Sequence, residues 1–99
     1  MINWLDYKEG DLIDLEIVEE KHATKLKVKI LPFEYSLHRR PILSLIEIIE
    51  STNVDRWETG CVITLPLVVE ETLTFLVDIK TKSNSHELIS RSGTFKILN

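Results

Sequence analysis

Alternation of apolar and polar residues predicts an antiparallel hairpin near the start of the chain. Apolar residues occupy every second position over 13–17, where the intervening residues are acidic, and over 26–30, where they are lysines. A period of two is typical of a strand with one buried face. Because a short polar segment at 19–22 joins the two runs, we expect a hairpin whose acids face the lysines across its outer surface.

The second half of the chain predicts another hairpin. Residues 61–69 and 73–79 alternate in the same way on either side of a turn at Glu70 and Glu71. The first of these runs is mostly apolar on both faces, which is typical of a strand covered on both sides or of a partner surface. Pro66 lies within it and cannot donate a ladder hydrogen bond, which predicts an edge strand or a bulge.

The end of the chain is predicted to form one more strand, at residues 94–98. The segment before it is polar and rich in serine. For residues 85–91 the sequence leaves two structures open, a short helical turn and a loop.

Residues 41–51 show a different spacing. Polar residues recur at Ser44, Glu47 and Glu50, with apolar pairs between them. On a helix this spacing confines the polar side chains to one sector of roughly 120–140°. Pro41 also suits a first helical turn, where its missing N–H is not needed. We therefore expect an amphipathic helix at about 41–51, with a strand as the alternative because β-branched isoleucines favour sheets.

Together these elements predict a single α+β domain over residues 1–99. Its antiparallel sheet has about five strands, in two hairpins plus a last strand, and the helix packs on one face. If residues 42–50 form a strand instead, the chain becomes an all-β six-stranded barrel or sandwich. A length of 99 residues suits one hydrophobic core.

Composition excludes several classes of protein but does not identify a function. The single cysteine, Cys61, excludes an internal disulfide scaffold and fits a reducing cytoplasm. No apolar run approaches the roughly 20 residues of a membrane helix, so no membrane partner is expected. A net charge of −4 gives no global attraction to nucleic acid. With three glycines, the chain has no phosphate cradle, and we predict no cofactor, metal ligand or catalytic residue.

Two groups of residues are candidates for binding or chemistry. His38, Arg39 and Arg40 form the only compact basic cluster, and Tyr35 beside them can stack on a nucleic-acid base. The pair Asp78 and Lys80 has the spacing used by Mg²⁺-dependent nucleases of the PD-(D/E)xK type.

A third candidate is Trp57, because tryptophan is enriched at the centres of protein interfaces. The function predicted from these features is that of a small non-enzymatic cytoplasmic interaction protein, acting by protein–protein contact or self-association. Compact chains with few motifs are common among accessory proteins of phages and mobile elements, which is an association only. The alternatives are nucleic-acid binding at the basic loop and metal-dependent cleavage at Asp78 and Lys80.

Overall fold

Short β-strands and one 3₁₀ turn make up the regular structure of the computed structural model, which describes residues 1–81, 83 and 85–98. The 3₁₀ turn covers Trp4–Asp6. The strands are β1 (Ile2–Asn3), β2 (Leu12–Glu19), β3 (His22–Ile30), β4 (Glu34–Tyr35), β5 (Pro41–Ser51), β6 (Val62–Pro66), β7 (Val68–Val69), β8 (Leu73–Lys80) and β9 (His86–Ile97).

Six of these strands close into an antiparallel barrel. Each pairs with its neighbour in the order β2, β3, β5, β6, β8, β9, and β9 pairs back onto β2. The ring therefore follows the order of the chain, as in up-and-down barrels. The short strands lie outside the ring: β4 pairs with the start of β5, and β1 pairs with β7.

The α+β prediction is wrong, because the expected helix at 41–51 is strand β5. This strand pairs with β3 on one edge and with β6 on the other. Its buried residues Ser44, Ile46 and Ile48 alternate with half-buried ones, which is a period of two. The β-branched isoleucines favour this conformation, and the two partner strands override the helical spacing of the polar residues.

The all-β barrel, which was the alternative reading of the sequence, is the observed fold. No segment of the described ranges forms a helix that is long and apolar enough to cross a membrane.

Two further expectations are corrected. Residues 85–91 form neither a helical turn nor a loop, since β9 begins at His86 and runs for 12 residues. Strand β6 is not at an edge, because it lies between β5 and β8. Pro66 instead ends β6, and the chain then leaves the barrel so that β7 can pair with β1. Proline lacks the backbone N–H that a strand needs for pairing, which explains why β6 ends at this residue.

Both predicted hairpins are confirmed. In the first, Asp14 lies opposite Lys27 and Glu16 lies opposite Lys25, so acids and lysines do face each other across β2 and β3. In the second, β6 pairs with β8 in a register that sets Val62 opposite Asp78.

The barrel is filled by the inward-facing residues of all six strands, and a tryptophan covers each end. Trp57 lies between the end of β5 and the start of β6, whereas Trp4 donates its backbone N–H to Leu67, just after the end of β6. Both indole side chains are completely buried. The core between them consists of Ile13, Leu15, Ile17, Leu26, Val28, Ile30, Ile46, Ile48, Ile63, Leu65, Phe75, Val77 and Phe95.

Candidate functional site

The loop between β5 and β6, residues 52–61, folds over one end of the barrel and inserts Trp57. The Trp57 backbone N–H donates to the Asn53 carbonyl at 2.7 Å, which closes a tight turn. The Trp57 ring centroid lies 5.7 Å from that of Phe75, and Phe75 meets Phe95 edge-on at 5.0 Å. These contacts continue the core into the loop, and we call the loop with its tryptophan the Trp57 plug.

A buried carboxylate holds the plug in place. Glu19, at the end of β2, is 3% exposed. It accepts hydrogen bonds from Arg56 Nε at 3.0 Å, from Arg56 Nη2 at 2.9 Å and from Trp57 Nε1 at 2.7 Å. Burial by itself raises the pKa of Glu19, but these hydrogen bonds and the charges of Arg56 and Arg91 outweigh it, so the pKa lies below its ordinary value.

Arg91 of β9 covers the outer side of the plug. Its guanidinium carbon lies 4.7 Å from the centroid of the Trp57 ring, and its Nη1 donates to the Arg56 carbonyl at 2.7 Å. Partial burial and repulsion by Arg56 lower the pKa of Arg91. Arg56 and Arg91 therefore both lie close to the buried carboxylate of Glu19.

The Glu19 contacts predict a pH dependence of stability. Since the folded-state pKa is below the ordinary value of 4.5, the contribution is complete above about pH 4.5 and is lost as the pH falls through the folded-state pKa. The free energy of unfolding is measured in urea between pH 6 and 3 for the wild type and for Glu19→Gln. As the pH falls, we expect it to decrease more steeply in the wild type, by up to about 1.4 kcal/mol per pH unit. Parallel pH profiles for the two proteins would contradict this role of Glu19.

The sequence contained a signal for part of this group. Glu19 was assigned to the polar turn at 19–22, although the apolar alternation of 13–17, continued by one step, points its side chain into the barrel. The partners carry no such signal. Arg56 and Arg91 lie 37 and 72 positions further along the chain, and only the closed barrel brings them to Glu19 and Trp57.

Gly93 marks the point at which β9 joins the barrel. A Cβ on Gly93 would lie 2.7 Å from the Val18 carbonyl oxygen, which is closer than real Cβ contacts allow. Glycine is therefore needed where β9 passes this closely over the end of β2. From here towards its start at His86, β9 extends beyond the end of β2.

This extension leaves one backbone edge of β9 open. Strand β9 pairs with β8 along His86–Gly93, but with β2 only along Thr94–Ile97. Within residues 1–81, 83 and 85–98, no strand pairs with the other side of the seven residues 86–92, which we call the free edge. Leu88, next to its centre, is 63% exposed. The ring of six strands is therefore closed by β2 and β9, but more than half of β9 has no strand on its outer side in the described residues.

The direction of the backbone groups on the free edge follows from the pairing of β9. The Leu98 N–H donates to the Asp14 carbonyl of β2 at 3.0 Å. Neither register of β9 contains a bulge, so every second residue points its N–H and C=O to the same side. The residues whose backbone groups point out of the free edge are accordingly His86, Leu88, Ser90 and Ser92.

The predicted basic cluster lies at the other end of the molecule. His38, Arg39 and Arg40 are exposed in the turn before β5, with exposed Tyr35 at the end of β4. The fold keeps these four residues together, but it does not bring Trp57 to them. Trp57 follows the far end of the 11-residue strand β5, about 30 Å away, and is buried. Nucleic-acid binding by this turn stays a prediction.

Asp78 and Lys80 lie on the outer face of β8, beside a cavity of about 190 Å³ that Cys61 also lines. Asp78 Oδ1 is 3.1 Å from His86 Nδ1. Burial, with the charges of Glu58 and Asp78, raises the pKa of Cys61, so its thiol stays protonated and is a poor nucleophile. Among the described residues, no group of three or more His, Cys, Asp or Glu is arranged to hold a metal ion. Metal-dependent cleavage at Asp78 and Lys80 stays a prediction.

No family model, curated protein or solved structure matches this chain.

Proposed function

We propose that this chain is a small non-enzymatic cytoplasmic interaction protein that contacts its partner by strand pairing at the free edge of β9. The observation that carries the proposal is the row of seven residues, 86–92, at which β9 has no strand on one side among the described residues. An unpaired row of N–H and C=O groups is a template for another strand. Addition of an extended segment to such an edge is a recurring mode of protein recognition.

Two features of the edge support this function. Proteins commonly protect exposed edges with proline, a bulge or inward-pointing charges; residues 86–92 contain no proline or bulge, and their two inward charges, Glu87 and Arg91, are of opposite sign. The edge is also held in shape from behind, because Arg91 packs on Trp57 and donates to the loop. A preformed edge loses little conformational entropy on binding. The reducing compartment is supported by the free, buried thiol of Cys61.

The test is a proline placed on the free edge. The Ser90 N–H points away from β8, so Ser90→Pro removes a donor from the edge and leaves the β8 ladder intact. We expect Ser90→Pro to weaken binding at least tenfold, or about 1.4 kcal/mol. Two kinds of binding are measured: self-association in sedimentation, and binding of nine-residue peptides that are first selected on the wild type from a random displayed library. Ser90→Ala is the matched control and should bind like the wild type.

A second variant guards against misfolding of the proline variant. Leu88→Lys combined with Ser90→Lys keeps every backbone donor but charges the exposed side of the edge, a device that natural edge strands use. Circular dichroism and thermal unfolding verify the fold of each variant. The proposed function is overturned if the chain neither self-associates nor selects any peptide, or if every association found survives both edge variants.

A further inference from the structure

The charged side chains of the free edge make it selective. Glu87 and Arg91 lie opposite Ile79 and Phe75 on β8, and the buried side chain of Phe75 identifies this as the inner face of the sheet. Charges on the inner face of an edge strand oppose pairing with an apolar strand or with one of like charge. The strand that fits this edge best therefore presents a positive charge to Glu87 and a negative charge to Arg91.

The free edge itself has this complementary pattern. Two antiparallel copies of residues 86–92, centred on Ile89, set Glu87 opposite the partner's Arg91, and the reverse contact repeats by symmetry. Arg91 is already repelled by Arg56, and Glu19 is the one carboxylate among the group that holds the plug. The carboxylate of the partner's Glu87 would offset this repulsion of Arg91 by Arg56.

The fold limits the register to the same position. From Thr94 onwards the edge is occupied by β2, and Val18 and Glu19 lie against Gly93, so a partner strand must end before Gly93. At the other end, the end of the partner's β2 limits the partner strand in the same way. A two-fold arrangement then has room for the seven residues 86–92, and the centre of that stretch is Ile89.

We infer that the partner is a second copy of this chain, paired antiparallel through β9 about a two-fold axis at Ile89. This inference rests on the proposed function, since it names the occupant of the free edge. His86, Leu88, Ser90 and Ser92 supply the outward backbone groups, so the paired strands exchange about eight main-chain hydrogen bonds. Strands β8 and β9 of both copies then form one continuous four-stranded sheet, and the interface is of the isologous type that two-fold dimers use.

Disulfide trapping tests the register directly. Because the backbone groups of Ile89 point towards β8, Ile89 and its symmetry mate form a non-hydrogen-bonded pair with Cα atoms about 4.5 Å apart, within the range of a disulfide. Ile89→Cys is therefore expected to form a covalent dimer on mild oxidation. Glu87→Cys lies about 14 Å from its own mate and should not.

Two controls set the background of random cross-linking. The wild type contains Cys61, which is buried and should not cross-link. Leu37→Cys introduces a fully exposed thiol in the turn before β5, far from the free edge. We expect Ile89→Cys to exceed this background at least about tenfold, and Glu87→Lys to weaken the non-covalent dimer at least about fivefold, since it sets a lysine opposite an arginine.

The outcomes separate this inference from the proposed function. A concentration-dependent dimer in sedimentation, with preferential cross-linking of Ile89→Cys, supports the second copy. Cross-linking of Ile89→Cys no better than that of Leu37→Cys overturns it. A monomer at all concentrations that still binds peptides through the free edge also overturns it, while the proposed function remains supported.

Discussion

Trp57→Ala is expected to lower the free energy of unfolding by about 3–5 kcal/mol. The indole is completely buried, packs at a tilt against Phe75 and donates its N–H to Glu19. Truncation leaves a cavity at the end of the barrel and a buried carboxylate with one donor fewer. For a domain of this size, each kcal/mol corresponds to about 4–8 °C in Tm, so thermal and urea unfolding should both register the loss clearly.

The matched control is Val54→Ala in the same loop. Val54 is 58% exposed, and its truncation should change the unfolding free energy by less than about 0.5 kcal/mol. If Trp57→Ala were as stable as Val54→Ala, the plug would not be part of the cooperative core. The free edge should also lose order in Trp57→Ala, because Arg91 loses the ring on which it packs.

Glu19→Leu is expected to lower the unfolding free energy by about 2–4 kcal/mol. The change removes three hydrogen bonds to a charged group, each worth about 1.5–3 kcal/mol, and leaves the Trp57 indole N–H buried without an acceptor. The loss stays below the sum of these contributions because the Arg56 side chain is 42% exposed and can turn to water.

A double-mutant cycle isolates the contact between the carboxylate and the indole. Trp57→Phe removes the indole N–H, so the double variant with Glu19→Leu leaves no unpaired donor on side chain 57. We expect the double variant to be more stable than the sum of the two single changes predicts, by about 1–3 kcal/mol, in urea unfolding. Additivity within about 0.3 kcal/mol would mean that the hydrogen bond does not stabilise the plug.

The sequence predicted the parts of the fold that depend on neighbours along the chain. The β2–β3 hairpin and its ladder of acids and lysines were correct, because a period of two and a short turn are local properties. The sequence predicts a helix for the β5 segment, because the three-residue spacing of Ser44, Glu47 and Glu50 fits a helix better than a strand. Its actual conformation depends on β3 and β6, which supply hydrogen bonds on both edges.

The candidate site divides in the same way. The sequence shows that Glu87 and Arg91 have a self-complementary order within residues 86–92. It does not show that one edge of this strand is unpaired. The free edge exists because β9 extends past the end of β2, and this difference in length depends on how the strands pair when the barrel closes.

The sequence by itself determined the strand-forming pattern of both hairpins, the single thiol and the lack of any extended glycine-rich or apolar segment. The tertiary structure alone decided that the sheet closes, that Glu19, Arg56, Trp57 and Arg91 meet at one end, and that half of β9 is left open. The physical reason is that periodicity reports which face of a strand is buried, whereas partners distant in sequence are selected by packing and hydrogen bonding across the whole barrel.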